Sequence, residues 1–267
     1  MTLPTALSGL LAFWDFQSDG GRHVAVGVAP FELFEQRGPI ARAHEGVFGP
    51  RALNIAHGQW LRLPRAGLGA LNFHGHRPLT LVVWIKRDSP RPWQFLAGVW
   101  NERDHRRQYA LFVNGTWQFN HVKNTRTPCA DRAHAYLSRE GGHTPGDPAC
   151  FSYATGATPV LPGRWHCIAM TYDGTALAVH LDGRLDAHPQ HNPLPFAGPI
   201  FDGGPTGADF TVAQRAMALW HDYPHGPMPA DEGFSGLLGG LAVYGRALSP
   251  HELRALADAL PARRAAG

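Results

Sequence analysis

The sequence has few charged residues, few cysteines and no long apolar run. Asp, Glu, Lys and Arg make up 17% of the 267 residues, and the net charge of +3 is scattered along the chain. Surfaces that bind nucleic acid carry Lys and Arg in a stripe or patch, so we expect no nucleic-acid partner. A membrane-spanning helix needs about 20 consecutive apolar residues, so we expect no membrane insertion.

The N-terminal segment lacks the basic residues that open a secretory signal peptide. Residues 1–16 run straight into an apolar and aromatic stretch that predicts a strand. We therefore expect a cytoplasmic protein unless a leader was removed from the chain.

The chain has only three cysteines, and Cys129 and Cys150 flank one segment. A bridge between them would add roughly 3 kcal/mol of stability by restricting the unfolded chain. The alternative is two unpaired thiols in a surface loop, and the sequence leaves both open.

Glycine and proline are plentiful, with 31 and 23 residues, and 44% of the chain is hydrophobic. This composition is typical of short strands joined by many turns around a sizeable core. No linker or change of composition divides the chain. We therefore expect one all-β domain over residues 1–267, present as a monomer.

Residues 164–187 (RWHCIAMTYDGTALAVHLDGRLDA) predict a β-meander. Two strand-like stretches, 165–172 and 176–181, are separated by Asp173-Gly174, a typical two-residue turn, and a second Asp-Gly pair follows. Because one meander is unstable alone, its apolar face needs a second sheet.

Other signals set further expectations along the chain. Asn114-Gly115 predicts a hairpin that pairs residues 108–113 with 117–122, and His57-Gly58 predicts a hairpin within 52–63. Residues 123–158 and 187–207 show little periodicity and are expected to be long inserted loops, the first of them ordered. Ser249 with Glu252 forms a capping box that predicts a helix over 250–260.

The meander resembles the core of laminin-G-like (concanavalin A-like) jelly-roll domains. Three further stretches resemble that family in the same order: LAFWDFQSDG, LTLVVWIK and FSGLLGGLAVYGRALSPHEL. The resemblance covers most of the chain and implies a two-sheet antiparallel jelly-roll sandwich with one short C-terminal helix. It also implies a glycan-binding or glycan-cleaving function, since this fold hosts lectins, adhesion modules, glycosidases and polysaccharide lyases.

A polar and aromatic cluster surrounds the expected hairpin at Asn114-Gly115. In the resembling domains such strands form a concave face where glycans lie, and there aromatic rings stack on sugars while polar side chains bind hydroxyls and carboxylates. Alternation should place Arg107 and Tyr109 on one face beside residues of the return strand. The candidate ligand-binding residues are Trp100, Asn101, Arg107, Gln108, Tyr109, Gln118, Asn120 and His121.

The expected function is recognition of a polysaccharide or glycan, and the main alternative is a polysaccharide lyase. A lyase needs a group that neutralises a uronate carboxylate, for which Arg107 is suited, and an acid and a base, for which His121, His143 and Tyr153 are suited. The loop 123–158 is expected to carry His143 and Tyr153 toward Arg107 and His121.

Two other functions receive less support from the sequence. A retaining glycosidase is disfavoured because the E-x-D-x-E string of the sandwich-fold glucanases is absent, and Glu102 and Asp104 are expected to form an ion-paired surface turn beside Arg103 and Arg106. A protein-binding adhesion module should show a broad apolar patch.

The metal signals are weak. Zinc is disfavoured because the sequence has no H-x-x-x-H helix and no C-x-x-C pair. The resemblance implies calcium near Asp15 and Asp19, but Leu238-Gly239-Gly240 replaces the family's closing-strand aspartate, which removes an anionic ligand. Asp15, Asp19 and backbone carbonyl oxygens could still supply ligands. Calcium at Asp15 and Asp19 is thus the one cofactor that the resemblance leaves open, and we expect no other.

Overall fold

The computed structural model describes residues 2–91, 93–114, 117–120, 124–146, 150, 152–215 and 233–261. This part of the chain forms two large antiparallel β-sheets, a separate strand pair and one short α-helix, α1 (Pro250–Ala257). The predicted all-β jelly-roll sandwich is confirmed.

One sheet has ten strands and the other has eight. The ten-stranded sheet contains β1 (Leu10–Trp14), β3 (Val26–Gly27), β5 (Ala41–Ala43), β6 (Ala52–Ile55), β8 (Leu79–Arg87), β15 (Trp165–Tyr172), β16 (Ala176–Leu181), β17 (Arg184–Leu185), β18 (Leu194–Pro195) and β20 (Gly236–Tyr244). The eight-stranded sheet contains β2 (Arg22–Val24), β4 (Glu32–Gln36), β7 (Trp60–Leu63), β9 (Gln94–Asn101), β10 (Arg106–Val113), β13 (Arg132–Leu137), β14 (Tyr153–Pro159) and β19 (Phe210–Val212). The separate pair is β11 (Trp117–Asn120) with β12 (Thr125–Pro128).

The meander lies where the sequence predicts it. Strand β15 pairs with β8 along its whole length and with β16 across the Asp173-Gly174 turn. The Asp173 Oδ1 atom accepts hydrogen bonds from the Thr175 and Ala176 amides at 2.8 Å each, and Gly174 has φ of +100°, a conformation that favours glycine. The turn signal therefore sets the register of the two strands.

The apolar residues form three layers. The largest cluster lies between the two sheets and takes side chains such as Val83, Ile168, Leu111 and Phe210 from both of them. A second cluster lies between the ten-stranded sheet and α1. The third lies on the opposite side of the eight-stranded sheet, which we call its outer face: Phe95, Trp100, Ala110, Phe112, Tyr136, Cys150 and Tyr153.

Helix α1 begins with the predicted capping box. The Ser249 hydroxyl accepts from the Glu252 amide, and the Glu252 carboxylate accepts from the Ser249 amide at 2.8 Å. The helix buries Leu253 and Leu256 against the ten-stranded sheet. No helix within the described residues is long and apolar enough to cross a bilayer.

The two hairpins expected at Asn114-Gly115 and His57-Gly58 are wrong. Strand β10 already has β9 on one side and β13 on the other, and the Asn114 amide donates to the Arg132 carbonyl oxygen, so β11 pairs with β12 instead. At residues 56–59 the chain passes from β6 in one sheet to β7 in the other. In both places pairing with distant strands outweighs the local turn signal.

The expected loop at 123–158 is in large part strand. Strand β13 places Ala133, Ala135 and Leu137 in the core between the sheets, and His134 and Tyr136 face the other way. The sequence hides this alternation because the outward positions carry polar or aromatic residues and two of the inward ones only alanine. The second expected loop, 187–207, contains β18 and a 3₁₀ helix at Gly204–Thr206.

The disulfide alternative is also wrong, because all three cysteines are buried thiols. The Cys129 sulfur accepts a hydrogen bond from Asn114 Nδ2 at 3.5 Å, whereas the Cys150 thiol lies 3.9 Å from the Leu137 carbonyl oxygen. Burial raises the pKa of Cys150 to about 11, so this thiol stays protonated at neutral pH. The alternative of surface-loop thiols is wrong as well, since neither side chain is exposed.

Candidate functional site

Small residues form the floor of the outer face at its centre. Gly98 on β9 pairs with Ala110 on β10 and with Thr211 on β19. Strand alternation places Thr211 on this face, because its neighbours Phe210 and Val212 point into the core between the sheets. A Cβ atom on Gly98 would lie 2.3 Å from the Tyr109 carbonyl oxygen, so the floor has no room for a larger residue there.

Arg107 lies on the same face, next to Trp100. The two residues pair across β9 and β10, and the guanidinium carbon is 5.8 Å from the Trp100 ring centre. A β-bulge between Arg107 and Tyr109 interrupts the alternation of β10 directly after Arg107. The side chain of Arg107 is only 1% exposed, so it is held within the face and not in bulk solvent.

Glu102 anchors the polar end of this face. Its Oε1 atom accepts from Trp100 Nε1 at 3.0 Å, its Oε2 atom is 2.8 Å from Arg215 Nη1, and Arg107 Nε lies 3.8 Å from Oε1. Burial alone would raise the pKa of Glu102, but the charges of Arg215 and Arg107 and the Trp100 hydrogen bond outweigh it and hold the pKa below its usual value. Glu102 is therefore ionised at neutral pH.

Four polar atoms on this face lack hydrogen-bond partners within the described part of the chain. They are Arg107 Nε, Arg107 Nη1, Thr211 Oγ1 and His134 Nε2, and all four are buried. A buried polar atom without a partner costs about 1–3 kcal/mol, more for a charged group. Most buried polar groups in folded proteins are paired, so this concentration of unpaired atoms marks a candidate site of ligand contact.

Two histidines lie together beside the turn between β9 and β10. His105 follows Glu102 in the turn between β9 and β10, and its ring centre is 5.0 Å from that of His143. The Arg107 amide donates to the Gly141 carbonyl oxygen, and the Gly141 amide donates to Ser138 Oγ. These bonds fasten the segment that carries His143 beside the β9–β10 turn.

An aromatic row crosses the outer face from β9 to β14. Tyr136 lies 5.3 Å from Trp100 and 5.7 Å from Tyr153, measured between ring centres, and Tyr153 stacks on His134 at 4.4 Å. The Tyr153 hydroxyl and Thr127 Oγ1 on β12 form a hydrogen bond of 2.7 Å. Because these rings are at most 5% exposed, the row is packed and offers no open stacking surface.

Several predicted residues lie away from this cluster. The bulge after Arg107 turns Gln108 and Tyr109 inward: Gln108 Oε1 accepts from Arg65 Nη1 at 2.7 Å, and the Tyr109 hydroxyl donates to the Leu71 carbonyl oxygen. Their expected position on the glycan face is therefore wrong. Asn101 holds the β9–β10 turn by donating to Asp104 Oδ2 at 2.9 Å.

Three further predicted residues lie at the edge of what the structure describes. Gln118 and Asn120 lie on β11, away from β10, and their side chains are not described. His121 lies outside the described residues.

The sequence did not predict the part played by Thr211, Arg215 or Glu102. Thr211 could have been found, because a polar residue between two apolar ones in FTV marks the outward position of a strand. The surface ion pair expected for Glu102 is wrong, since its carboxylate turns inward to Arg107 and Arg215, whereas Asp104 remains exposed.

In the turn expected to hold calcium, both carboxylates already have partners within the protein. Asp15 Oδ1 accepts from the Gln17 amide at 3.1 Å, and the Asp19 carboxylate is paired with the Arg51 guanidinium. No group of three or more His, Cys, Asp or Glu side chains suited to a metal ion occurs among the described residues. Calcium at Asp15 and Asp19 stays a prediction.

Solved structures with similar folds include glycan-binding proteins. Domain 4 of AbnA, an extracellular GH43 arabinanase from Geobacillus stearothermophilus solved with arabinotriose, is 17% identical with a TM-score of 0.59, covering 93% of this chain and 98% of that domain. The CBM40 of the Ruminococcus gnavus IT-sialidase, bound to α2,3-sialyllactose, is 17% identical with a TM-score of 0.52, covering 80% of this chain and 99% of that one.

A third similar structure binds a protein. The binding domain of botulinum neurotoxin DC, in complex with rat synaptotagmin II, is 7% identical with a TM-score of 0.53, covering 94% of this chain and 51% of the toxin chain. At these identities the similarities establish the fold alone. No curated protein matches the sequence. The family model described as "Concanavalin A-like lectin/glucanases superfamily" matches residues 58–254, and the chain belongs to this family.

Proposed function

We propose that the protein recognises a glycan chain on the outer face of the eight-stranded sheet, over Gly98, Ala110 and Thr211 and beside Arg107. The observation that carries this proposal is the group of buried, unpaired donors at Arg107 and Thr211. A sugar offers many oxygens that accept hydrogen bonds, so it could satisfy all three atoms over the small-residue floor. The arabinotriose and sialyllactose complexes of two similar folds support a glycan as the ligand.

A polysaccharide lyase is the second candidate. Arg107 suits the neutralisation of a uronate carboxylate, and His143 lies close enough to Glu102 for its charge to help lower the pKa of that carboxyl. Two observations favour binding over this reaction. Glu102 is held ionised and is a poor proton donor, and the Tyr153 hydroxyl is bonded to Thr127.

A protein partner receives weaker support from the surface. The large exposed hydrophobic residues among those described include Val24, Val26 and Val28, which lie at the sheet edges formed by β2 and β3 and not on the outer face. A partner docked there would leave Arg107 and Thr211 unpaired.

The test is isothermal titration calorimetry against a panel of neutral and acidic polysaccharides. Thr211→Val keeps the shape of the side chain and removes the hydroxyl, so we expect it to weaken binding by about 3- to 30-fold. Thr206→Val, at an exposed position, is the matched control and should bind as the wild type does. Equal binding by both variants would place the site elsewhere.

Two additions to the same assay test the other expectations. Ultraviolet absorbance of unsaturated products, together with a reducing-end assay, would detect a lyase or hydrolase, and new product in either would replace recognition with catalysis. Adding a calcium chelator tests the proposal of calcium at Asp15 and Asp19, because removal of bound calcium would lower the melting temperature.

A further inference from the structure

The charge of Arg107 is only partly compensated. Its nearest described acidic group, Glu102, lies 3.8 Å from Arg107 Nε, which is too long for a hydrogen bond, and Glu102 Oε2 is engaged with Arg215 at 2.8 Å. Guanidinium groups remain protonated in proteins, so Arg107 is a buried cation with free N–H groups. Burying a charge without a close counter-ion costs several kcal/mol.

Two other side chains described near Arg107 do not supply the missing negative charge. They are Trp100, with its ring beside the guanidinium, and Cys150, whose raised pKa of about 11 keeps the thiol neutral. A neutral hydroxyl from a sugar could accept a hydrogen bond but would leave the charge uncompensated. A carboxylate would accept the hydrogen bond and also compensate the charge, through the short charge-assisted bonds that arginine forms with such groups.

We infer that the glycan recognised at this face is acidic, and that a sugar carboxylate binds to Arg107 through its free Nε or Nη1 atom. This inference rests on the proposed function and names the class of its ligand. Thr211 Oγ1, which lies on the same face without a partner, would bind a hydroxyl of the same chain. Gly98 and Ala110 carry no long side chain between these two contacts.

The test compares ligands that differ only in the charge of the carboxylate. Galacturonan and its methyl ester form one matched pair, and α2,3-sialyllactose and its methyl ester form a second pair. We expect the acidic member of at least one pair to bind 10-fold or more tightly than the neutral member, with an affinity that falls as salt is added. Arg107→Met should abolish that preference, and Arg107→Lys should keep part of it because the charge remains. Thr206→Val should leave it unchanged.

The possible results separate the inference from the proposed function. If neutral and acidic members bind equally, and Arg107→Met binds as well as wild type, glycan recognition stands and the acidic ligand is wrong. If neither pair nor any neutral glycan of the panel binds, glycan recognition and the acidic ligand are both wrong. Far-ultraviolet circular dichroism and melting curves of each variant exclude misfolding as the cause of lost binding.

Discussion

The two sheets cover their outer faces in different ways. Beneath α1, the ten-stranded sheet is apolar and the polar atoms of its large aromatic rings are paired: Trp84 Nε1 donates to the Leu256 carbonyl oxygen at 3.3 Å, and the Tyr244 hydroxyl donates to the Pro4 carbonyl oxygen at 3.0 Å. On the same sheet, His166 Nε2 and His180 Nδ1 are buried without a hydrogen-bond partner among the described residues. The outer face of the eight-stranded sheet is also buried and aromatic, but Arg107 and Thr211 keep unpaired polar atoms there.

This difference separates a structural face from a candidate binding face. Beneath α1, Trp84 and Tyr244 combine apolar packing with paired polar atoms, as is expected where only stability is required. Unpaired charged groups oppose stability, and natural proteins tolerate such violations at functional sites. Aromatic content alone does not distinguish the two faces, since Trp84 and Trp100 are equally buried.

The largest expected effect is on the structural face. Trp84 is fully buried, and its ring packs edge-on against Phe48 at 4.8 Å. Trp84→Ala should lower the free energy of unfolding by about 3–5 kcal/mol, because it leaves a cavity and removes apolar contacts. Urea unfolding checks this, with Leu185→Ala at an exposed position as the control, expected to stay within about 0.5 kcal/mol. A loss below about 1 kcal/mol for Trp84→Ala would show that the face is not tightly packed.

Acid should lower the stability of the folded protein through one buried histidine on each sheet. Burial lowers the pKa of His180 to about 4, and burial followed by the charge of His191 lowers that of His134 well below its ordinary value. Below about pH 6.5 the unfolded chain takes up these protons and the folded chain does not, so the free energy of unfolding falls by roughly 1.4 kcal/mol per pH unit for each histidine.

Urea unfolding between pH 7 and pH 5 measures this slope. The window is chosen because paired carboxylates such as Glu252, whose pKa is lowered to about 2 by its hydrogen bond with Arg246, lose their contribution only at lower pH. His180→Gln should make the slope shallower, whereas His44→Gln at an exposed position should not. An unchanged slope in His180→Gln would mean that His180 is protonated in the folded protein.

The smallest expected effect is that of Arg107→Met, and its sign shows whether Arg107 stabilises the fold. Arg107→Met removes two unpaired donors while Glu102 keeps Arg215 and Trp100, so we expect unchanged stability or a gain of up to about 2 kcal/mol. Arg246→Met is the matched control beside α1, where the guanidinium is paired with Glu252, and it should lose about 0.5–1 kcal/mol. If Arg107→Met lost more than about 2 kcal/mol, Arg107 would be a structural residue.

The sequence predicts the fold well where local signals and long-range pairing agree. The meander with its Asp173-Gly174 turn, strand β8 and the Ser249 cap all lie where expected, because turn chemistry, alternation and capping act within a few residues. The Asn114-Gly115 signal failed because β10 is an interior strand whose partners come from elsewhere in the chain.

The candidate site was only partly predictable for the same reason. Residue type makes Arg107, Trp100 and His143 candidates, and the structure places Arg107 beside Trp100. The bulge that turns Gln108 and Tyr109 inward is a backbone event that alternation cannot anticipate. Thr211 reaches the site only because β19 inserts between β7 and β9, a topology with no signal in the local sequence.

The most direct test of the central claim is a crystal structure of the protein with a glycan that it binds. We predict a ligand oxygen within about 3.2 Å of Arg107 Nε or Nη1, and another within that distance of Thr211 Oγ1. A glycan bound on the ten-stranded sheet, or at the turn that holds Asp15 and Asp19, with both atoms still unpaired, would contradict the claim.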